Sequence, residues 1–226
     1  MTRGTEARQY KMAKAIIVCG GDFDISLFPE KEAGDIVIGA DSGCAYLEKY
    51  GIQPDVCIGD WDSLNKVPEK GEVISLQVRK DDTDLVAAGR IAAMRNFKEI
   101  VILGALGGRR FSHSIAAIQT VYWLMTLGCK VKILDADCTI YSLGAGDEYF
   151  FDESCRGHVS VFSMSQTSVI SMKGLWYSGE DVYIESAFPL GVSNAFSGRP
   201  SVIKGKEGYA VIVTENDGAC FGCCSS

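Results

Sequence analysis

The feature that most constrains the fold of this chain is a change of rhythm near residue 137. Before that point, short continuous apolar runs alternate with longer amphipathic stretches. Continuous apolar runs are typical of strands buried on both faces, as in a parallel sheet that is covered by helices. The pattern predicts strands at 15–19, 35–39, 56–58, 73–78, 100–103 and 131–134. It predicts helices at 42–50, 83–96 and 112–127.

Beyond residue 137 the helical pattern is lost, and short β-rich runs are separated by Gly, Asp, Glu and Ser. Such spacing is typical of a small antiparallel sandwich or barrel. The runs lie at 138–143, 149–151, 158–164, 168–172, 181–184, 201–203 and 209–213. We therefore expect an α/β N-terminal domain with a mostly parallel sheet, followed by an all-β sandwich C-terminal domain. The expected segments are an extension at 1–14, domains at 15–136 and 137–216, and a Cys-rich tail at 217–226.

Charge and apolar run length argue against two classes of partner. The chain has 226 residues and a formal net charge of −7, whereas nucleic-acid binding calls for a basic surface. No apolar run approaches the roughly 20 residues that span a bilayer. The apolar stretch behind the basic N-terminus covers only 15–19, which is too short for a signal peptide. We expect a cytoplasmic protein that binds neither nucleic acid nor membrane.

The cysteines do not form the even, regularly spaced set of a secreted disulfide framework. There are nine, and Cys220, Cys223 and Cys224 cluster in the tail. A Cys-x-x-Cys spacing can indicate zinc, although a structural zinc site needs four ligands. A mobile tail with free thiols is the alternative interpretation.

Polar and glycine residues follow the predicted parallel strands at the point where each strand ends. Gly20-Gly21, Asp41, Asp60 and Gly104 all occupy such positions. Because ligands of open α/β sheets bind outside the carboxyl ends of the strands, we expect these residues to share one rim.

Two acidic clusters indicate a divalent cation at that rim. Asp60 and Asp62 follow a buried strand, and in an extended segment residues two apart point the same way. Both carboxylates could then reach one Mg²⁺, which prefers oxygen ligands and bridges carboxylates to phosphates. A solvated Asp-rich turn is the alternative. The second cluster, residues 81–84, could complete the metal shell or could simply cap a helix, since Asp and Thr are preferred there.

Three further motifs are suggestive and ambiguous. The glycine-rich loop 104–110 leads into a helix, where glycines allow close backbone approach and Arg110 could bind phosphate. It could equally be a tight connection with surface arginines. His113 could be a base or a hydrogen-bonded structural histidine. Asp41 could bind a ligand or serve only as an N-cap. The Ser193-Asn194 pair could be no more than a polar turn.

The order of these motifs resembles that of the thiamine pyrophosphokinases over about residues 15–215. The family pattern runs roughly ADGGAN, PDxxxGDFDS, DxTD, GGRxDH and SN. The matching segments here are Ala40-Asp41-Ser42-Gly43-Cys44-Ala45, Pro54-Asp55 with Gly59-Asp60-Trp61-Asp62-Ser63, Asp82-Thr83-Asp84, Arg110-Phe111-Ser112-His113, and Ser193-Asn194.

The resemblance implies transfer of pyrophosphate from ATP to the hydroxyl of thiamine, which gives thiamine diphosphate and AMP. It implies Mg²⁺ bound by Asp60, Asp62 and Asp84, which are also the catalytic acids. It implies catalytic roles for Arg110 and Ser112. It also implies a homodimer with acceptor sites at the subunit interface. The remaining positions implied to bind cofactor or substrate are Asp41, Ser63, Asp82, Thr83, Arg110, His113, Ser193 and Asn194.

The chain also departs from the family pattern. Ser112 stands where the family has Asp, and Ala117 stands where it has Asn. A serine is neutral at pH 7 and cannot act as a carboxylate base. Two alternatives therefore stay open: a pyrophosphokinase for a different thiamine-like alcohol, and a nucleotide- or thiamine-binding regulator that has lost turnover.

Overall fold

The structure, a computed structural model, describes residues 12–61, 70–77, 82–108 and 110–215. Within these residues, one ten-stranded mixed sheet is accompanied by a four-stranded antiparallel sheet. The large sheet has the order β12-β9-β14-β7-β6-β5-β1-β2-β3-β4, and the small one β11-β10-β13-β8. The strands of the first half are β1 Lys14–Val18, β2 Ile36–Ala40, β3 Val56–Gly59, β4 Glu72–Ser75, β5 Glu99–Leu103 and β6 Lys130–Leu134. Those of the second half are β7 Cys138–Gly144, β8 Glu148–Phe151, β9 His158–Ser163, β10 Thr167–Lys173, β11 Gly179–Glu185, β12 Asn194–Ala195, β13 Ser201–Glu207 and β14 Tyr209–Glu215.

Strands β1 to β6 are all parallel, and helices cover both faces of this part of the sheet. The helices are α1 Gly43–Lys49, α2 Asp84–Met94 and α3 Phe111–Thr126, and a short 3₁₀ helix spans Ile25–Leu27. Because side chains alternate along a strand, β1 serves two cores. Ile16 and Val18 pack with Leu47 of α1, whereas Ala15 and Ile17 belong to the cluster that includes α2 and α3. This double coverage explains why the strands are continuously apolar, and the mixed α/β prediction is confirmed.

The large sheet does not stop at the predicted domain boundary. Strand β7 pairs antiparallel with β6, so the turn at 135–137 joins two neighbouring strands of the same sheet. A second core, which includes Tyr141, Phe151 and Ile203, lies between the antiparallel part of the large sheet and the small sheet. The second half thus has its own sandwich-like core on a shared sheet, while the predicted domain limits stay a prediction.

Element bounds agree closely with the periodicity, and the differences fall in short elements. The short 3₁₀ helix Ile25–Leu27 and the two-residue strand β12 had no sequence signal. The strand predicted at 73–78 ends at Ser75. The predicted Asp62, Ser63 and Asp81 sites, the Cys-rich tail and most of the N-terminal extension lie outside the described residues. No helix in the described part of the chain is long and apolar enough to cross a membrane.

Candidate active site

The loops after β1 and β5 meet where the strand order switches direction, which is where open α/β sheets bind ligands. The Gly21 N–H donates to the Gly104 carbonyl (2.7 Å), and the Asp22 N–H donates to the Leu106 carbonyl (3.2 Å). The Gly108 N–H donates to Asp22 Oδ2 (2.9 Å). The predicted glycine-rich loop is thereby tied to the β1 loop across 86 residues of sequence.

Glycine is required at this junction because backbone packs against backbone. A Cβ on Gly21 would lie 2.6 Å from the Gly104 carbonyl oxygen, and one on Gly43 would lie 1.9 Å from the Val18 carbonyl oxygen. Gly104 itself has φ +64°, a left-handed conformation that favours glycine. The result is a dense set of main-chain groups at the rim, which suits close approach to a phosphate.

Asp41 carries an unpaired carboxylate oxygen at this rim. Its Oδ1 is buried and has no hydrogen-bond partner among the described residues, while Ser42 Oγ donates to its Oδ2 (3.2 Å). The helix α1 begins without a side-chain cap, so the N-cap alternative does not account for this carboxylate. A buried oxygen without a partner is unfavourable unless a ligand or ion completes it. Asp41 is therefore a candidate ligand-binding residue on geometric grounds.

Asp60 follows β3 directly and is half-buried, as the rim prediction requires. The next residue differs from our expectation, because Trp61 has φ +62° and the segment is not extended there. The argument that residues 60 and 62 point the same way is therefore wrong in its premise. The turn is held by the indole, which is buried rather than solvated. Asp62 lies outside the described residues, so its role in metal binding stays a prediction.

The described residues of the second acidic cluster, Asp82, Thr83 and Asp84, lie at the start of α2. Thr83 is the N-cap, with its hydroxyl accepting from the Val86 N–H (3.2 Å), as the capping alternative predicts. Asp82 forms an ion pair with Arg90 (2.8 Å). Asp84 is the first residue of α2, and burial together with the negative charge of Asp84 raises the pKa of the Cys19 thiol to about 12.

The start of α3 is exposed and uncapped. Arg110, Ser112 and His113 are all solvent-accessible, and the helix has neither a side-chain N-cap bond nor an acid in its first turn. A helix N-terminus of this kind attracts anions through its free N–H groups and its dipole. The arrangement therefore suits a phosphate next to the glycine-rich loop. His113 is exposed, and its role stays a prediction.

An additional acidic pair was missed by the sequence reasoning. Burial and the nearby charges of Asp137 and Asp22 raise the pKa of Asp135 above its usual range. Asp22 lies in the loop after β1, and Asp135 comes directly after β6. A signal was present for Asp135, which directly follows a strand as Asp41 and Asp60 do, whereas Asp22 comes four residues after the end of β1.

In the antiparallel half, Asn194 is buried and its side chain is engaged with the backbone. Asn194 Nδ2 donates to the Tyr177 carbonyl (2.7 Å), and its Oδ1 accepts from the Tyr177 N–H (2.9 Å). Ser193 is exposed and has φ +60°. Asn194 therefore fixes the loop that presents Trp176 and Tyr177, and any effect it has on a ligand passes through that loop.

The described residues fit a hard cation only in part. No group of three or more His, Cys, Asp or Glu side chains within them is arranged to hold a metal. Asp60 and Asp84 are hard oxygen donors beside parallel strands, and the unpaired Asp41 Oδ1 is a third oxygen at the rim. This chemistry suits Mg²⁺, and the set predicted from the sequence also includes Asp62.

Fold and site together define a mixed α/β protein with glycine-rich and acidic loops gathered at the carboxyl edge of its parallel strands. Comparison with known proteins shows what this chain is similar to. The family model for the thiamin pyrophosphokinase catalytic domain matches residues 28–133 of this chain. The curated thiamine pyrophosphokinase of Bacillus subtilis is 24% identical over 187 residues, which cover 80% of this chain and 87% of that protein. The family model and this relative thus both show that the chain is similar to thiamine pyrophosphokinases.

Solved structures support the same fold. A thiamine pyrophosphokinase from Bacillus subtilis superimposes with a TM-score of 0.76 at 23% identity, covering 90% of this chain and 99% of that one. The thiamin pyrophosphokinase from Candida albicans gives a TM-score of 0.71 at 18% identity, covering 90% and 89%. The family match contains Asp41, Asp60, residues 82–84 and the glycine-rich loop 104–110, but it begins after Gly21 and ends before Ser193 and Asn194.

Proposed function

We propose that this protein transfers pyrophosphate from ATP to the hydroxyl of thiamine, giving thiamine diphosphate and AMP. The proposal is supported by the agreement of the family match with the arrangement of the motifs in the fold. The family match spans 28–133, and the fold brings the motifs described within that span to one edge of the parallel sheet. Phosphoryl-group transfer depends mainly on positioning and charge neutralisation, and this rim supplies groups for both.

On this proposal the glycine junction and the start of α3 hold the triphosphate. The backbone can approach closely at Gly21 and Gly104, and the uncapped helix N-terminus with Arg110 offers positive potential. Mg²⁺, when bound by Asp60, Asp62 and Asp84, neutralises charge on the phosphates. Without such a cation, this acidic rim would repel ATP.

Ser112 places a limit on the acceptor chemistry. It is exposed at the first turn of α3 and cannot take a proton as a carboxylate would. On our proposal the attacking alcohol is therefore activated mainly by position and by the neutralised phosphate. Because Ser112 cannot act as a carboxylate base, two other functions stay candidates. The second candidate is a pyrophosphokinase for a different thiamine-like alcohol, and the third is a binding protein without turnover.

We further propose a symmetric homodimer, formed through the aromatic face of the antiparallel half, with the acceptor bound between subunits. Several large apolar side chains of that half are exposed: Trp176, Tyr177, Tyr183, Phe188, Leu190 and Val192. Exposed patches of this kind commonly mark interfaces, and isologous dimers are the commonest soluble oligomers. Sedimentation of a fully active 24.4 kDa monomer at micromolar concentration would contradict this proposal.

The deciding experiment measures AMP release from ATP with a panel of hydroxyl acceptors, with and without Mg²⁺. We expect Mg²⁺-dependent AMP release with thiamine and equimolar formation of thiamine diphosphate. Release only with another alcohol would support the second candidate. Binding of ATP and thiamine without AMP release would support the regulator.

A further inference from the structure

The backbone at Trp61 is in a conformation that its side chain does not favour. Its φ is +62°, and the other non-glycine residues with positive φ in the described chain are Asp41, Asn96, Asp181 and Ser193. Asn and Asp tolerate this region through local hydrogen bonds, whereas a bulky aromatic residue does not. Such conformations persist only where the surroundings impose them, and they concentrate at functional sites.

The surroundings of Trp61 identify what imposes this conformation. The indole is 8% exposed and packs with Cys44, Cys57 and Val73. Its Nε1–H donates to Ser75 Oγ at 2.9 Å. The side chain is therefore fixed both by burial and by a directional bond, although its backbone belongs to a rim loop.

That bond connects the carboxyl ends of two neighbouring parallel strands. Gly59 of β3 pairs with Ser75 of β4, and the Leu76 N–H donates to the Gly59 carbonyl (2.8 Å). The residue between Gly59 and Trp61 is Asp60, the predicted metal ligand. Asp60 thus lies between two fixed points, a strand end and an anchored indole.

The space around Gly59 shows that Trp61 and Asp41 share one packed unit. A Cβ on Gly59 would lie 3.3 Å from Trp61 Cζ3 and 3.1 Å from the Asp41 Cα. Both residues therefore border Gly59, and Asp41 Oδ1 is buried without a partner among the described residues.

We propose that Trp61 is a positioning residue that, through its hydrogen bond to Ser75, sets the direction of Asp60 for binding a divalent cation with nucleotide. The proposal rests on the function proposed above. It assigns no contact with substrate to Trp61 itself. The competing interpretation is that the indole only fills the core beneath the loop, in which case its loss would lower stability without a specific effect on the metal.

The test separates these interpretations with variants of the bond and of the packing. Trp61→Phe keeps an aromatic ring and removes the donor, and Ser75→Ala removes the acceptor on an exposed residue. Val73→Ala opens the same cluster and leaves the bond intact, and Ser154→Ala is a matched serine control in a distant exposed turn. Each protein is titrated with Mn²⁺ by electron paramagnetic resonance in the presence of a non-hydrolysable ATP analogue, and its melting temperature is recorded.

We expect Trp61→Phe and Ser75→Ala each to raise the Mn²⁺ dissociation constant about fivefold, as loss of one hydrogen bond predicts. The double variant should be no weaker than the worse single variant, because both changes remove the same bond. The Mg²⁺ concentration for half-maximal AMP release should rise in parallel, with kcat at saturating Mg²⁺ within about twofold of wild type. Val73→Ala should lower the melting temperature and leave Mn²⁺ binding unchanged. Ser154→Ala should change neither the melting temperature nor Mn²⁺ binding.

Three results would overturn the proposal. If Trp61→Phe and Ser75→Ala both bind Mn²⁺ within twofold of wild type, Trp61 only packs in the core. The same conclusion holds if Val73→Ala lowers the Mn²⁺ affinity as much as these two variants do. Additive losses in the double variant would show that the two residues act separately. If Trp61→Phe does not fold, Ser75→Ala alone decides, since the serine is exposed. A wild-type protein that binds no Mn²⁺ with nucleotide overturns this proposal and the proposed function together, whereas unaffected variants of a protein that binds it overturn this proposal alone.

Discussion

The carboxyl edge of the parallel strands and the Asn194 region of the antiparallel half place their polar groups in different ways. At the parallel edge, loops from distant parts of the sequence pack backbone against backbone, as at Gly21 and Gly104. Around Asn194, one buried amide side chain holds a loop through two bonds to the backbone of Tyr177. In the first arrangement the loops are held by backbone bonds, and Asp41 Oδ1 has no partner among the described residues. In the second, the polar side chain of Asn194 itself holds the loop. A predicted site residue can therefore act directly in one half and indirectly in the other.

The largest effect should come from removing one charge at the parallel edge. Asp60→Asn keeps the shape of the side chain and removes an anionic ligand. We expect turnover to fall by about 100-fold or more, equivalent to about 3 kcal/mol of lost transition-state stabilisation, with the fold intact. Steady-state AMP release measures this, with Asp152→Asn in an exposed turn as the matched control. Near-normal turnover of Asp60→Asn at ordinary Mg²⁺ would remove Asp60 from the site.

The next effect tests whether the parallel edge depends on backbone contact. Gly21→Ala would place a Cβ 2.6 Å from the Gly104 carbonyl oxygen and 2.7 Å from that of Leu106. Because neither obstacle is a flexible side-chain end, we expect about 3 kcal/mol of destabilisation and weaker ATP binding. Gly51→Ala is the control, since it changes a glycine at φ +70° that has nothing within 4 Å. Equal losses of ATP affinity in the two variants would show that the contact between the loops is not the cause.

A smaller effect tests the antiparallel half. Asn194→Ala leaves the Tyr177 N–H and carbonyl without their partner, which should destabilise the protein by about 2 kcal/mol. We expect the KM for the acceptor to rise while the KM for ATP stays near wild type, because the loop and not the rim is released. Ser193→Ala, an exposed neighbour, should change the free energy of unfolding by less than about 0.5 kcal/mol. An equal rise in both KM values would break the distinction between the two halves.

The smallest effect concerns the first turn of α3. Ser112→Asp supplies the acid that this turn lacks, and interaction with the helix dipole should stabilise the protein by about 0.5 kcal/mol. We expect kcat/KM for thiamine to rise, since a carboxylate can assist the acceptor hydroxyl. Ser112→Asn is the neutral control. Unchanged or lower kcat/KM, with ATP binding retained, would mean that this position does not carry the family role.

Much of the fold could be read from the sequence because its signals are local. Continuous apolar runs require burial on both faces, and β1 is buried along its whole length as predicted. The topology then follows from few rules, and it brings strand ends to one edge without knowledge of any contact. This is why Asp41, Asp60 and Gly104 were predicted to share a rim. The family resemblance added roles, and those of Asp62 and Ser63 stay predictions.

Tertiary structure decided what the local pattern could not contain. The bond from the Gly108 N–H to Asp22 joins residues 86 positions apart, and no periodicity encodes such a pair. The left-handed backbone at Trp61 exists because Ser75 and the buried cluster hold the indole, so extended geometry was the wrong default there. The sequence pattern of Asn194 is that of a polar turn residue. Its hydrogen bonds to the Tyr177 backbone form only when the loop around Tyr177 folds onto it. Local propensity sets which elements form, whereas these side chains are placed by contacts that exist only once the elements have packed.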